Sequence, residues 1–354
     1  MIKRACGIYL KLLIILLLIL TLSCSAGSIP NKNALEYLKT STEKCLVDES
    51  RATPCLEDFF SKYLQHTNVK ETLQRLEFLA QSSSDLGTEC HVVAHALGRQ
   101  VLIAQGTIEK AFNECSEECS RGCYHGAVEK FFWREGYSKV GDIHDLNREK
   151  LKTKIIEACK SAPSGEIEGE CWHGVGHGLM LMLDYNLKPA LSLCDSYEQE
   201  ELRKSCYSGV FMENVLGVGT AKEKKFLKTS DWNFPCNDIE DKYREDCYAY
   251  QVIWMEINGL SPEEVIKECQ KAGNYTLACI GSLGGNLGDF LDNNAKDMAE
   301  VCDSISAAEL KRTCMRGAMA TLLELKTGAD AASKFCSAFK IKEDKDYCSG
   351  LANK

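Results

Sequence analysis

The feature that most constrains the fold of this chain is the regular spacing of its cysteines. Of the 354 residues, 20 are cysteines, and most fall into pairs with nine to eleven residues between the two members. The seven regular pairs are Cys45 and Cys55, Cys159 and Cys171, Cys194 and Cys206, Cys236 and Cys247, Cys269 and Cys279, Cys302 and Cys314, and Cys336 and Cys348. This density indicates a disulfide framework formed in an oxidising compartment.

The sequence around the later pairs has a common form. A short amphipathic segment precedes the first cysteine, as in Pro189–Cys194 and Pro262–Cys269. Similar phrases follow the second, as in Cys171-Trp-His-Gly and Cys206-Tyr-Ser-Gly. We predict a short helix ending near the first cysteine, a turn, and a longer helix starting near the second. Both prolines then fall in the first turn of a helix, where proline is tolerated.

Successive second cysteines are mostly 32 to 35 residues apart, with longer steps at Cys171 and Cys247. A helix-hairpin period of this size is typical of an α-solenoid, and no alternating strand pattern competes with it. In architecture alone the period resembles that of tetratricopeptide (TPR) and Sel1-like repeats, whose motif residues this chain lacks. We therefore expect an all-α fold, a disulfide-stapled α-solenoid of helix-hairpin repeats that forms one domain over residues 28–354.

One segment departs from the regular spacing and contains Cys90, Cys115, Cys119 and Cys123. If Cys115 pairs with Cys123 as a shortened unit, Cys90 and Cys119 are left for each other, although spacing alone leaves other connectivities open. The irregularity falls within residues 88–184, which also hold the histidine motifs described below. A repeat remodelled for function is expected to break the pattern in such a place.

The N-terminus predicts export. A basic start is followed by the apolar run Leu12–Leu20, which is too short to cross a bilayer and indicates a signal peptide over residues 1–24. Ser23-Cys24 at its end favours a lipoprotein signal, with cleavage after Ala26 as the alternative. We expect a periplasmic or cell-surface lipoprotein, or otherwise a secreted protein, that contacts the membrane only through a lipid anchor at Cys24.

The net charge of −9 argues against two classes of partner. Nucleic acids and anionic membrane surfaces are both recognised through basic patches, so neither is expected to bind here. A small molecule or a peptide is the expected partner.

Five of the seven histidines lie in three similar motifs, which are Cys90-His-Val-Val-Ala-His95, Cys123-Tyr-His-Gly-Ala-Val-Glu129 and Cys171-Trp-His-Gly-Val-Gly-His177. On a helix, each motif places a histidine and a second ligand-type side chain four residues apart on one face. The pairs are His91 with His95, His125 with Glu129, and His173 with His177. Three adjacent helices about 10 Å apart can direct these side chains into one cavity.

Imidazole and carboxylate ligands in this number predict a transition metal, namely iron, copper or zinc, in a mononuclear or dinuclear site. Glu129 and Glu213 are also candidates for acid/base catalysis or for orienting the ligands. The sequence thus predicts an exported metal-binding protein, with oxidative or hydrolytic chemistry if it is an enzyme.

Other interpretations stay open at this level. The histidines can form a structural polar network or hold haem or another ligand. The chain can also be a non-catalytic solenoid that binds a protein or peptide on its concave face, or a protein that stores or delivers metal. Convergence of the six side chains would favour a metal.

The glycines near the motifs have two interpretations, since each costs about 1 kcal/mol relative to alanine inside a helix. For the recurring Gly209 and Gly317 we predict close helix packing. For Gly176 and Gly178 we predict access for a ligand.

Overall fold

The computed structural model describes residues 32–82, 84–132, 147–160, 162, 165–217, 225–291, 293–324 and 328–352. Every regular element in these ranges is a helix, which confirms the all-α class. Within the same ranges, no helix combines the length and the apolar composition needed to cross a bilayer. The predicted signal peptide and Cys24 lie outside the described residues.

The helices in chain order are α1 (Lys32–Leu46), α2 (Glu49–Tyr63), α3 (Val69–Ala80), α4 (Ser84–Gln105), α5 (Ile108–Glu114), α6 (Gly122–Phe132), α7 (Arg148–Lys160), α8 (Glu166–Met182), α9 (Leu187–Cys194), α10 (Glu200–Leu216), α11 (Asp241–Ile257), α12 (Pro262–Cys269), α13 (Thr276–Phe290), α14 (Ala295–Ser304), α15 (Ala308–Glu324), α16 (Gly328–Ala338) and α17 (Lys342–Leu351). A short 3₁₀ helix, Gln270–Tyr275, joins α12 to α13.

The longer helices pack side by side in a row that follows the chain. Helix α4 contacts α6, and α6 contacts α8, which in turn contacts α10. The row continues through α11, α13 and α15, each in contact with the one before it. The shorter helices α5, α7, α9, α12 and α14 each pack against the long helix that follows them. Short and long helices therefore alternate from α5 to α10 and from α12 to α15, as the cysteine spacing predicts, whereas α11 follows α10 with no helix in the described residues between them.

Local signals account for the starts of several helices. Ser261 and Glu264 form a reciprocal capping box at α12, with Pro262 in the first turn as predicted. Pro189 is the third residue of α9, which also agrees with the prediction. At α3, the side chain of Asn68 accepts a hydrogen bond of 2.7 Å from the backbone N–H of Glu71.

All eighteen cysteines in the described ranges form disulfides. The seven regular pairs join as predicted. In the irregular segment, Cys115 pairs with Cys123 and Cys90 pairs with Cys119, which is one of the connectivities that the spacing left open. Four of the bonds, Cys159–Cys171, Cys194–Cys206, Cys269–Cys279 and Cys302–Cys314, link the end of a short helix to the first half of the next long helix. Cys236 instead lies in a non-helical segment before α11, where the sequence predicted a short helix.

Glycines let the long helices approach until their backbones touch. A methyl group added to Gly209 would lie 2.0 Å from the carbonyl oxygen of His173, and one added to Gly317 would lie 2.2 Å from that of Gly281. Close packing is therefore confirmed at both positions. The prediction of ligand access at Gly176 and Gly178 is wrong, because methyl groups there would meet the Cys206 carbonyl at 2.2 Å and the Phe132 ring at 2.3 Å.

We expect Gly317→Ala to destabilise the protein. The new methyl group would collide with the backbone of α13, and overpacking of this kind costs about 1–3 kcal/mol. Gly285→Ala is the matched control at the same interface, because its methyl group would lie 3.8 Å from the nearest atom, the hydroxyl oxygen of Thr321. The control should be neutral or stabilising by up to about 1 kcal/mol. Urea midpoints measure both effects, and equal midpoints would contradict backbone contact at Gly317.

Candidate metal centre

The five histidines of the three motifs lie together where α4, α6 and α8 meet. Between rings on the same helix, the centroid distance is 4.5 Å for His91 and His95 and 4.9 Å for His173 and His177. His125 lies between the two pairs, with its centroid 5.4 Å from that of His95 and 5.3 Å from that of His177. One ligand-type atom from each of His91, His95, His125 and His177 lies within 4.8 Å of the others.

The backbone explains why the rings meet. A methyl group on Gly126 would lie only 1.9 Å from the carbonyl oxygen of His95, so α6 and α4 touch one residue after His125. The corresponding contact of Gly209 with His173 joins α10 to α8. Side chains that start from backbones this close reach a common centre without extending to solvent.

Hydrogen bonds fix the protonated nitrogen of the first pair. The Nδ1 atom of His91 is 3.2 Å from the carbonyl oxygen of Cys119, and that of His95 is 2.7 Å from a carboxylate oxygen of Glu129. A carbonyl and a carboxylate only accept, so both Nδ1 atoms carry the hydrogen. In the neutral rings both Nε2 atoms then bear lone pairs, and these atoms are 2.9 Å apart.

The second pair differs in one respect, because the hydroxyl group beside His173 can donate or accept a hydrogen bond and so does not fix the tautomer of that ring. The Nδ1 atom of His177 donates to Glu213 over 2.7 Å, and that of His173 lies 3.1 Å from the hydroxyl oxygen of Ser208. The two Nε2 atoms are 3.1 Å apart. In the neutral ring, the Nε2 lone pair of His177 therefore points towards His173 on the preceding turn.

His125 has the opposite tautomer. Its Nε2 atom donates to Glu170 over 2.8 Å. Its Nδ1 atom is buried and has no hydrogen-bond partner in the described part of the chain. A buried ring nitrogen without a partner costs free energy, about 1–3 kcal/mol for a typical polar group. The four residues whose tautomers are fixed by an acceptor are the same four whose ligand-type atoms cluster.

The electrostatic setting keeps several of these rings neutral. Burial, together with the neighbouring histidines, lowers the pKa of His91, His125 and His173 well below the usual value. Burial alone raises the pKa of Glu129, but its interactions with His95 and Arg99 outweigh burial and hold that pKa well below its ordinary range. A neutral imidazole beside an ionised carboxylate is the state in which histidine binds metals.

Glu129 and Glu213, the two glutamates that the sequence singles out, each accept a hydrogen bond from a histidine. Besides His95, Glu129 accepts a very short hydrogen bond from Arg99, which also donates to Glu57 over 2.7 Å. Glu213 also accepts a hydrogen bond of 3.0 Å from the hydroxyl group of Tyr185. Glu129, Glu213 and His177 form a second group of ligand-type atoms within 4.8 Å of one another.

Sequence reasoning missed Glu170, the third carboxylate of the site. Glu170 also accepts a hydrogen bond of 3.0 Å from Arg121. Its position directly before Cys171, three residues ahead of His173, was a signal that a search for carboxylates within one helical turn could have found. Ser208, in the phrase Cys206-Tyr-Ser-Gly, stands where Cys171-Trp-His-Gly has His173.

Two cavities adjoin the cluster on different sides. A cleft of about 990 Å³ is lined by His91, His125 and His173 together with four glutamates, Glu77, Glu117, Glu118 and Glu170. A smaller cavity of about 250 Å³ is lined by His91, His95 and His177. The imidazoles are therefore held rigidly but remain reachable from outside.

Comparison of the chain with protein-family models, with curated proteins and with solved structures finds no match.

We expect the metal-free protein to lose stability as the pH falls below about 6.5, the ordinary pKa of histidine. The unfolded chain then takes up protons at His91, His125 and His173, whereas the folded chain, with its lowered pKa values, does not. Each residue adds at most about 1.4 kcal/mol per pH unit. Urea midpoints in the presence of a chelator, from pH 8 to pH 5, measure the slope.

The slope should become shallower in His125→Ala and stay unchanged in His66→Ala, whose histidine is exposed and distant from the cluster in sequence. A stability that is flat or rises towards pH 5 would contradict burial of neutral imidazoles.

Proposed function

We propose that this chain is an exported metalloprotein that binds a transition metal through the imidazoles of the histidine cluster. One observation carries the proposal. Two nitrogen lone pairs, those of His91 Nε2 and His95 Nε2, face each other at 2.9 Å inside the protein. Such an arrangement is repulsive unless a proton or a metal ion is shared by the two nitrogens, and the lowered pKa of His91 disfavours a proton on that ring.

The distances fit a metal ion. With metal–nitrogen bonds of about 2.0–2.1 Å, two nitrogens lie about 2.9 Å apart when bound at a right angle and about 3.4 Å apart at the tetrahedral angle that zinc prefers. The Nε2 separations within the two helical pairs are 2.9 Å and 3.1 Å. His125 offers its unpartnered Nδ1 between them. In this proposal His91, His95, His125 and His177 are ligands, and His173 joins from the side of His177.

The glutamates have a different role in this proposal from the one the sequence indicates. Glu129, Glu170 and Glu213 each bind the distal nitrogen of a histidine, at 2.7 Å, 2.8 Å and 2.7 Å respectively. A carboxylate in this position fixes the tautomer of a metal-binding histidine and makes the ring a stronger donor. We therefore propose Glu129 as an orienting residue, with the metal bound by imidazole alone.

Accessibility supports chemistry at the metal. Structural metal sites are closed by protein ligands, whereas catalytic sites keep a position that a substrate can reach. The cleft of about 990 Å³ opens onto His91, His125 and His173, so a small molecule can approach the proposed ion. We propose this cleft as the substrate entrance of a metalloenzyme.

The architecture and the location are part of the same proposal. The unbroken row of contacts from α4 to α15 and the recurring glycine contacts support an α-solenoid of helix hairpins. Nine disulfides support export, because reducing compartments keep thiols reduced. We propose that the protein reaches that location through the signal peptide, with Cys24 as its lipid anchor.

Metal analysis tests the proposal directly. The protein, purified without chelators, should contain a stoichiometric transition metal. His125→Ala and His95→Ala should each lower the metal affinity by at least a hundredfold, since each removes a ligand. His66→Ala is the matched control and should keep the wild-type content. A wild-type protein that neither retains nor takes up zinc, copper or iron would refute the metal site.

We expect Glu213→Gln to weaken metal binding about 10- to 100-fold without abolishing it, because an amide holds His177 less firmly than a carboxylate does. A competition titration with a chromophoric chelator measures the loss. Glu263→Gln, on the distant helix α12, is the control and should have no effect. An unchanged affinity in Glu213→Gln would show that the carboxylate does not act through the metal ligand.

A further inference from the structure

Met212 occupies a ligand position in the repeat. It lies six residues after Cys206, where Glu129 and His177 lie relative to Cys123 and Cys171. The residue one turn before it, Ser208, contacts His173 at 3.1 Å, and the residue directly after it, Glu213, contacts His177 at 2.7 Å. Because residues four apart share one face of a helix, Met212 faces α8 beside its histidine pair.

The cavities show what the side chain of Met212 faces. Met212 lines both the cleft of about 990 Å³ and the smaller cavity of about 250 Å³. His91 is the other residue that the two linings share. The methionine on α10 and the histidine on α4 thus lie between the two cavities, next to the proposed metal.

The donor chemistry narrows the choice of metal. The imidazoles and the thioether of Met212 are all neutral, and a thioether is a soft ligand that favours Cu(I) over harder ions. The described cysteines are all in disulfides, so no thiolate competes for the ion. Neutral imidazole nitrogens together with a soft thioether sulfur suit Cu(I) better than they suit ferric iron or zinc.

We propose that the site takes copper and that the thioether of Met212 is one of its ligands. This inference rests on the metal site proposed above and names its metal. The neutral donor set would favour Cu(I), and imidazole is also a suitable ligand for Cu(II).

The test compares wild type with Met212→Leu, a substitution that conserves volume. Met315→Leu on α15 is the control, because Met315 is fully buried and lies outside both cavity linings. X-ray absorption of the Cu(I)-loaded protein should show one sulfur scatterer per copper in wild type and in Met315→Leu, and none in Met212→Leu. Competition with bicinchoninate should show at least a tenfold loss of Cu(I) affinity in Met212→Leu, with less than a twofold change for Zn(II).

The outcomes distinguish between the role of Met212, the identity of the metal and the existence of the metal site. Stoichiometric copper without sulfur scattering in wild type would overturn the role of Met212. A protein that binds zinc or iron through His125 but discriminates against copper would overturn the metal assignment while the metal site stands. No metal of any kind would refute both proposals. Urea midpoints and circular dichroism show whether Met212→Leu is folded, and Met212→Gln gives a second variant that keeps the chain length but removes the sulfur.

Discussion

Backbone contact between successive long helices is the constraint on which the site depends. Methyl groups built on Gly98 and Gly126 would lie 2.0 Å and 1.9 Å from carbonyl oxygens of the neighbouring helix. Any other residue at these positions would separate α4 from α6, and the imidazole rings would no longer meet. Each glycine costs about 1 kcal/mol of helix stability relative to alanine, and the packing it permits outweighs that cost. The disulfides act on the same geometry, because they fix where each long helix begins.

Close packing alone would bury five imidazoles without hydrogen-bond partners. The surrounding polar groups determine which nitrogen of each ring carries the hydrogen and which keeps its lone pair. Carboxylates or a carbonyl hold one nitrogen of His91, His95, His125 and His177, so the free lone pairs of His91 and His95 face each other and that of His125 has no partner among the described residues. A purely structural network would pair each of these lone pairs with a hydrogen, as buried polar groups normally do. The facing lone pairs therefore favour a metal over a structural network. Arg99 forms an ion pair with Glu129, and Arg121 forms one with Glu170, so the negative charge of these two carboxylates is balanced.

Much of this arrangement could be predicted from sequence, because it depends on spacing. The regular cysteine pairs predicted seven of the nine disulfides, and the four-residue spacing put the histidines on one face of each helix. Contacts between helices are harder to predict from sequence, since the rotation of one helix against the next is set by packing. For this reason Glu170 was missed, and the prediction of ligand access at Gly176 was wrong because its missing Cβ faces α10. A carboxylate four residues after a histidine looks the same in sequence whether it binds a metal or a neighbouring ring.

The segment with the irregular cysteine spacing has a backbone conformation that serves the histidine cluster. Cys119, Ser120 and Arg121 have φ angles of 53°, 51° and 64°, in the left-handed region that non-glycine residues seldom adopt. Such residues cost of order 1–3 kcal/mol each and persist only where the surroundings impose them. Here the turn directs the Cys119 carbonyl at His91 and places Arg121 against Glu170. The bond Cys90–Cys119 ties this segment to α4, and the bond Cys115–Cys123 ties its start to α6, so both disulfides help to hold the Cys119 carbonyl against His91.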